Sequence, residues 1–315
     1  MRYLWAYGAS AYPVTALTWG LLILSVVVIV IIGVLCLGAI FRRRSPPEQV
    51  GPGRLAVERL RGGLSWIYIG TGITTVTLVV FAIWGYMTLA AVGQPPGNAA
   101  LTIEVTGHQW WWEVRYLSDD PSRIFNTANE IHIPTGEPVR FRLTGADVVH
   151  SFWVPKLSGK TDTIPGQSNS TWLEASKPGI YRGQCTEYCG QQHAHMALVV
   201  VAEPPEQFKA WWDDQLKPPA APATQEAADG LATFRVRCGG CHAVRGTGAG
   251  GNLGPDLSHL KTRRTIAAGT LPNTPGYLSA WIADPQALKP GSRMPILDLT
   301  GPELAHVRSF LETLQ

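Results

Sequence analysis

The chain has 315 residues, with 26 Lys and Arg against 23 Asp and Glu, a net charge of +3. So small a charge excludes a broadly basic surface of the kind that binds nucleic acid. Hydrophobic residues make up 45% and charged residues 16%, yet overall hydropathy is close to neutral, so the apolar residues must be concentrated in segments.

Residues 1–97 hold those segments. No charged side chain occurs from Leu17 to Phe41, nor from Gly62 to Ile103. Each run exceeds the ~20 residues a helix needs to cross the hydrocarbon core, which predicts two transmembrane helices, near 17–41 and 64–92. The connecting stretch carries Arg42, Arg43, Arg44, Arg54, Arg59 and Arg61 against Glu48 and Glu58. An arginine-rich loop stays cytoplasmic, which places everything after the hairpin on the outer face. The first run reads as a retained helix and not a cleaved signal, because its basic residues follow the apolar run. Cys36, alone within it, reads as a small apolar filler.

From 98 to 203 the pattern changes to short alternating runs. Leu101, Ile103 and Val105 alternate with polar residues, as do stretches of 138–144 and 147–154, and Ala197–Val201 is a continuous apolar run. Punctuated by Pro134-Thr-Gly, Pro165-Gly and Pro178-Gly, these predict a small antiparallel sandwich or Greek-key barrel. Residues 204–224 read as a short amphipathic helix around Glu206–Leu216 and a Pro/Ala-rich linker, predicted to be mobile. From 225 to 315 helical runs return between Gly-rich loops: Ala227–Arg237, Pro275–Ala283, and Pro302–Leu314 with Leu304, Val307, Phe310 and Leu311 on one side.

Cys238-Gly-Gly-Cys241-His242 has the C-x-x-C-H spacing of covalent haem c attachment. Two thiols three residues apart reach the two vinyl groups on one porphyrin edge, and the adjacent imidazole ligates the iron. Met294, in Arg293-Met-Pro295, is the candidate for the opposite face; a Met/His pair raises the potential, as suits an electron carrier. The preceding helix, the Gly254-Pro-Asp-Leu257 loop and the closing helix make this segment resemble a class I cytochrome c domain. That resemblance implies that the Pro255 carbonyl holds His242 and that Arg263 meets a haem propionate.

The other cysteine pair lies in Cys185-Thr-Glu-Tyr-Cys189-Gly-Gln-Gln-His193-Ala-His-Met196, with His150 upstream in Val148-Val-His-Ser-Phe-Trp153. Thiolates, imidazoles and a thioether together are a soft set that suits copper. Two thiolates four residues apart can bridge two metal ions, each completed by one imidazole, with Met196 and the Glu187 carbonyl as weak ligands. A zinc site would leave Met196 without a role, and a disulfide would waste the histidines. Ligand type alone leaves His193 and His195 both open.

These motifs, with Gly107-His-Gln-Trp110 and Thr161-Asp-Thr-Ile-Pro-Gly166, make the chain resemble subunit II of haem–copper cytochrome c oxidases, of the bacterial caa3 kind with a fused cytochrome c. The resemblance implies a two-helix transmembrane hairpin, an all-β cupredoxin-like Greek-key domain and an all-α class I cytochrome c domain. It implies that His150, Cys185, Glu187, Cys189, His193 and Met196 hold the dinuclear copper CuA, choosing His193 over His195. It further implies covalent haem c on Cys238 and Cys241 with His242 and Met294 on the iron, and Trp110 as the point where electrons reach the copper domain. A magnesium ion beside the Glu187 carboxylate is implied too, with Asp162 near the same border. Trp111 and Trp112 read as packing residues.

The implied role is electron input to a proton-translocating oxidase of the bacterial plasma membrane, both soluble domains facing the periplasm. The partners implied are subunit I, with haem a and the oxygen-reducing haem a3–CuB site, subunit III, membrane lipids and a donor such as cytochrome c or a bc complex. No nucleic acid is expected. Two other readings are a copper and haem c subunit of a nitric oxide reductase and a membrane-anchored copper chaperone. One departure stands out: Gly63 lies three residues before Trp66, where the family has a carboxylate, with Glu58 nearby.

Overall fold

A computed structural model describes residues 4–42, 63–93, 95 and 99–315. Two helices, α1 (Ala11–Phe41) and α2 (Gly63–Gly93), are long and apolar enough to cross a membrane and expose almost all their side chains. Helix α1 begins six residues before its predicted start, because Gly8 to Phe41 contains nothing that breaks a helix except Pro13, tolerated in a first turn. Trp84 of α2 lies against Gly20 of α1, where any Cβ would clash with its ring. Arg42 is described; the remaining arginines of the loop, with Glu48 and Glu58, lie outside the described residues.

Ten strands follow the hairpin: β1 (Leu101–His108), β2 (Trp111–Tyr116), β3 (Phe125–Ala128), β4 (Glu130–Pro134) and β5 (Val139–Gly145), then β6 (His150–Trp153), β7 (Thr161–Thr163), β8 (Asn169–Leu173), β9 (Gly179–Cys185) and β10 (Ala197–Glu203). They form two five-stranded sheets, ordered β3-β2-β1-β5-β8 and β4-β10-β9-β6-β7. The expected sandwich is there, but it is not wholly antiparallel. β1 pairs with β5 in parallel, and so does β10 with β4, because the chain crosses between sheets instead of turning back in hairpins. Alternation sets the inner face: Val139, Phe141 and Leu143 are fully buried while Arg140 and Arg142 are exposed.

The segment before α1 is part of this sandwich. Tyr7 N–H donates to Lys156 O at 2.8 Å, Ser176 N–H donates to Tyr7 O at 2.8 Å, and Ser10 Oγ donates to Leu157 O. At the far end, α3 (Pro205–Gln215) lays Trp211 and Trp212 on Tyr116 and Phe125.

The last part of the chain is helical: α4 (Gln225–Arg237), α5 (Pro275–Ala283), the single turn α6 (Pro285–Leu288) and α7 (Gly301–Leu311), with two short β-ladders between them. Thr224 caps α4, and Thr300 with Glu303 forms a reciprocal capping box at α7. Helices α4 and α7 cross at Gly230, where an added Cβ would lie 1.9 Å from His306 O. Gly230→Ala should therefore destabilise this domain by about 1–3 kcal/mol, read as a lower denaturant midpoint for its unfolding.

His132 of β4 stacks on Trp211 at 4.2 Å and lies 3.3 Å from both Glu130 and Glu203. Burial alone lowers its pKa, but the two carboxylates outweigh that, and the net shift is upward. A raised folded pKa means its stabilisation is complete below the ordinary imidazole value of about 6.5 and lost as pH rises through the folded value. The melting-temperature gap between the wild type and His132→Gln should accordingly be widest in mild acid and close at alkaline pH.

Candidate functional site

Two ligand sets face each other within this compact unit. His150 opens β6 and is wholly buried. Its Nε2 lies 2.9 Å from Asp147 Oδ1. A carboxylate only accepts, so Nε2 carries the proton and Nδ1, buried without a hydrogen-bond partner, keeps a free lone pair. Cys185 ends β9 and Cys189 lies on the loop after it, with the two sulfurs 3.7 Å apart. The ligand atoms of His150, Cys185 and Cys189 all lie within 4.8 Å of one another.

Three further donors close around them. Cys185 Sγ is 3.2 Å from Glu187 O, Cys189 Sγ is 3.4 Å from His193 Nδ1, and Met196 Sδ is 3.9 Å from Cys189 Sγ. His195 is turned to Gln192, with Nδ1 2.6 Å from Oε1. The hydrogen bond between the thiols pulls Cys185 down to about 4 and pushes Cys189 up. Two thiols, two imidazoles and a thioether make a soft donor set, which fits copper.

The second set lines a cavity of about 350 Å³ among α4, α5 and α7, with Cys238, Cys241, His242 and Met294 in its wall. His242 Nδ1 donates to Pro255 O at 2.8 Å, leaving the Nε2 lone pair free. Burial lowers its pKa and so favours the neutral, ligating form. Apolar walls from Phe234, Leu257, Leu278 and Val307, a free imidazole and a thioether fit a haem held by two thioether bonds. Arg263 also lines the cavity and is buried; its guanidinium donates to Asp256 O at 2.5 Å.

Trp110 belongs to both sites. Its ring lines the cavity, and its Nε1–H donates to Cys189 O at 2.9 Å. Trp111 also lines the cavity, stacked on His108 at 4.5 Å. Trp112 is core, edge-on to His150 and Phe152. Glu187 and Asp162 both contact Lys160 Nζ, at 3.5 and 3.1 Å.

Sequence reasoning missed the residues that support these ligands. Asp147 orients His150 and also meets Arg293 at 3.2 Å. Buried Lys289 donates to Trp110 O, His195 O and Ala267 O. Only the nearness of Asp147 to His150 and of Arg293 to Met294 offered a signal. Lys289, beside Pro290-Gly291, reads in sequence as an ordinary loop lysine.

A chain with a membrane hairpin, a copper-binding β-sandwich and a haem-binding helical domain is a membrane-anchored electron-transfer protein. The family described as cytochrome C oxidase subunit II, periplasmic domain, matches residues 115–203, and that described as cytochrome c matches residues 227–315. Cytochrome c oxidase subunit 2 of Alkalihalophilus pseudofirmus is 36% identical, the match covering 93% of this chain and 86% of that one. The same subunit of a Bacillus species is 32% identical, covering 81% and 73%. The periplasmic domain of subunit II of cytochrome oxidase of Bradyrhizobium japonicum shares 34% identity with a TM-score of 0.35, covering 38% of this chain and 95% of that one. The chain belongs to the cytochrome c oxidase subunit 2 family, as a member fused to a cytochrome c domain. It is thus the electron-input subunit of a haem–copper terminal oxidase, and these relatives lend nothing to a nitric oxide reductase or a copper chaperone.

Two of the candidate imidazoles, His150 and His242, are each seated against a glycine. A Cβ on Gly107 would lie 2.7 Å from His150 Cδ2, and one on Gly254 would lie 2.7 Å from His242 Cε1. Gly107→Ala should weaken copper binding about tenfold or more while leaving the haem bands alone. Gly254→Ala should alter the axial-ligand bands of the haem and spare the copper, so absorption spectra of the two variants should separate the centres.

Proposed function

We propose that this chain carries a dinuclear copper centre and one covalent haem c, and that electrons reach the copper through the haem. The donors for the copper are His150, Cys185, Cys189, His193, Met196 and the Glu187 carbonyl; those for the haem are Cys238, Cys241, His242 and Met294. When bound, the two groups supply one-electron carriers with modest geometric change on reduction. The observation that carries the reading is Trp110, whose ring forms part of the haem cavity while its N–H holds the carbonyl of Cys189.

The residues do the preparatory work. Asp147 holds His150 with its free nitrogen toward the thiols, and Pro255 does the same for His242. Burial of Cys185 and Cys189 keeps water from the sulfurs. The electrons come from an external cytochrome c or bc complex and leave for haem a and the oxygen-reducing site of subunit I, with subunit III completing the complex. Both soluble domains face the periplasm, in keeping with the arginine-rich connection between α1 and α2. A magnesium ion at the subunit I border would displace Lys160 from Glu187 and Asp162. Gly63, which opens α2, stands where the family has a carboxylate, so protons enter either by way of Glu58, which lies outside the described residues, or by another route.

Metal analysis of the purified oxidase should find three coppers, two for this subunit and one for the CuB site of subunit I, and one haem c; zinc in place of the two coppers would sink the reading. His193→Ala should abolish the copper absorption, whereas His195→Ala should keep it.

A further inference from the structure

The linker composition suggests a haem domain free to swing, but the described contacts hold it against the copper domain. Leu216 O accepts from Arg245, and Lys217 O lies 3.2 Å from His259 Nε2. Nearer the sites, Gln192 donates to Pro290 O, Ala197 N–H to Ala268 O, and Arg264 N–H to Glu130. Gly291, at φ +81°, packs beside the Trp110 ring, within ordinary contact distance of it.

Lys289 is buried within this contact, 2% exposed. Its Nζ reaches Trp110 O at 2.8 Å, His195 O at 2.8 Å and Ala267 O at 3.1 Å. Three carbonyls can only accept, so they engage all three N–H donors of an ammonium. Two of them belong to the copper domain, on the turn bearing Trp110 and the loop bearing His193 and Met196. The third belongs to the haem domain. Removing one partner of a buried set costs more than the set contributes, because the carbonyls left behind lose water and donor alike.

We propose that Lys289 is a positioning residue that pins the haem domain onto the Trp110 face of the copper domain and so fixes the distance across which electrons pass between them. This deepens the reading under Proposed function and rests on it. Trp110, only 8% exposed, is covered by the docked domain, so external donors meet the haem and not the copper.

The test uses the full oxidase with Lys289→Met and Lys289→Gln, at about pH 6 so that the wild-type ammonium stays charged although burial lowers its pKa to about 7. Hydrogen exchange of the Ala197 and Arg264 amides reads docking without reference to either metal group. In Lys289→Met these amides should lose protection about tenfold or more, while those of Val200 in β10 and Phe310 in α7 keep theirs. Haem-to-copper transfer after flash reduction should slow about tenfold or more and become viscosity-dependent, as transfer gated by re-docking must. Lys289→Gln, able to serve two of the three carbonyls, should fall between, and it carries the test if the Met variant does not assemble. Wild-type exchange and rates in both variants would overturn the pin, and so would loss of protection at Val200 and Phe310, which would make Lys289 a residue of the fold. If the wild type itself passes no electron from haem to copper, the reading under Proposed function fails, while the exchange result still judges the pin.

Discussion

The hydrogen bond from Trp110 Nε1 to Cys189 O ties the copper loop to the wall of the haem cavity, and much else in the structure serves it. Cys189 must keep its sulfur beside Cys185, His193 and Met196, so its carbonyl faces outward toward the indole. The indole ring has one polar atom, and once that is committed to Cys189 the rest of its surface is apolar and is covered by Gly291 and the cavity wall. Gly291 is required there by its backbone, whose φ of +81° favours glycine.

The two ligand sets solve the same problem by the same means. An imidazole that is to bind metal must present one nitrogen without its proton, and the partner of the other nitrogen decides which one. At His150 that partner is a carboxylate and at His242 a backbone carbonyl. In each case a glycine backs the ring, because a Cβ would occupy its place. Asp147 takes a further part: it accepts from the backbone of Gln109 and Val148 and meets Arg293, the residue beside Met294. The support of one centre is therefore linked to the ligand loop of the other.

The membrane helices obey a different rule. Their apolar side chains are exposed along almost the whole length of both, which is stable only in contact with lipid or with other membrane segments. A subunit of a larger membrane complex has just this need, and the family to which the chain belongs meets it with further subunits.

The sequence by itself determined what depends on covalent order. Cys238-Gly-Gly-Cys241-His242 and Cys185 to Met196 place reactive groups at spacings that few other chemistries use, and the charge-free runs are long enough to cross a membrane whatever they pack against. The alternation of Val139, Phe141 and Leu143 likewise announced a half-buried strand. Tertiary structure alone decided the rest. The parallel pairing of β1 with β5 depends on which sheet the chain crosses to, and alternation is blind to that. The choice of Lys289, and the meeting of Asp147 with Arg293, arise from residues far apart in the chain that approach only when two domains dock. A lysine shows no sign in sequence of whether water or three carbonyls will surround its nitrogen, because that depends on which backbone oxygens the fold brings to it.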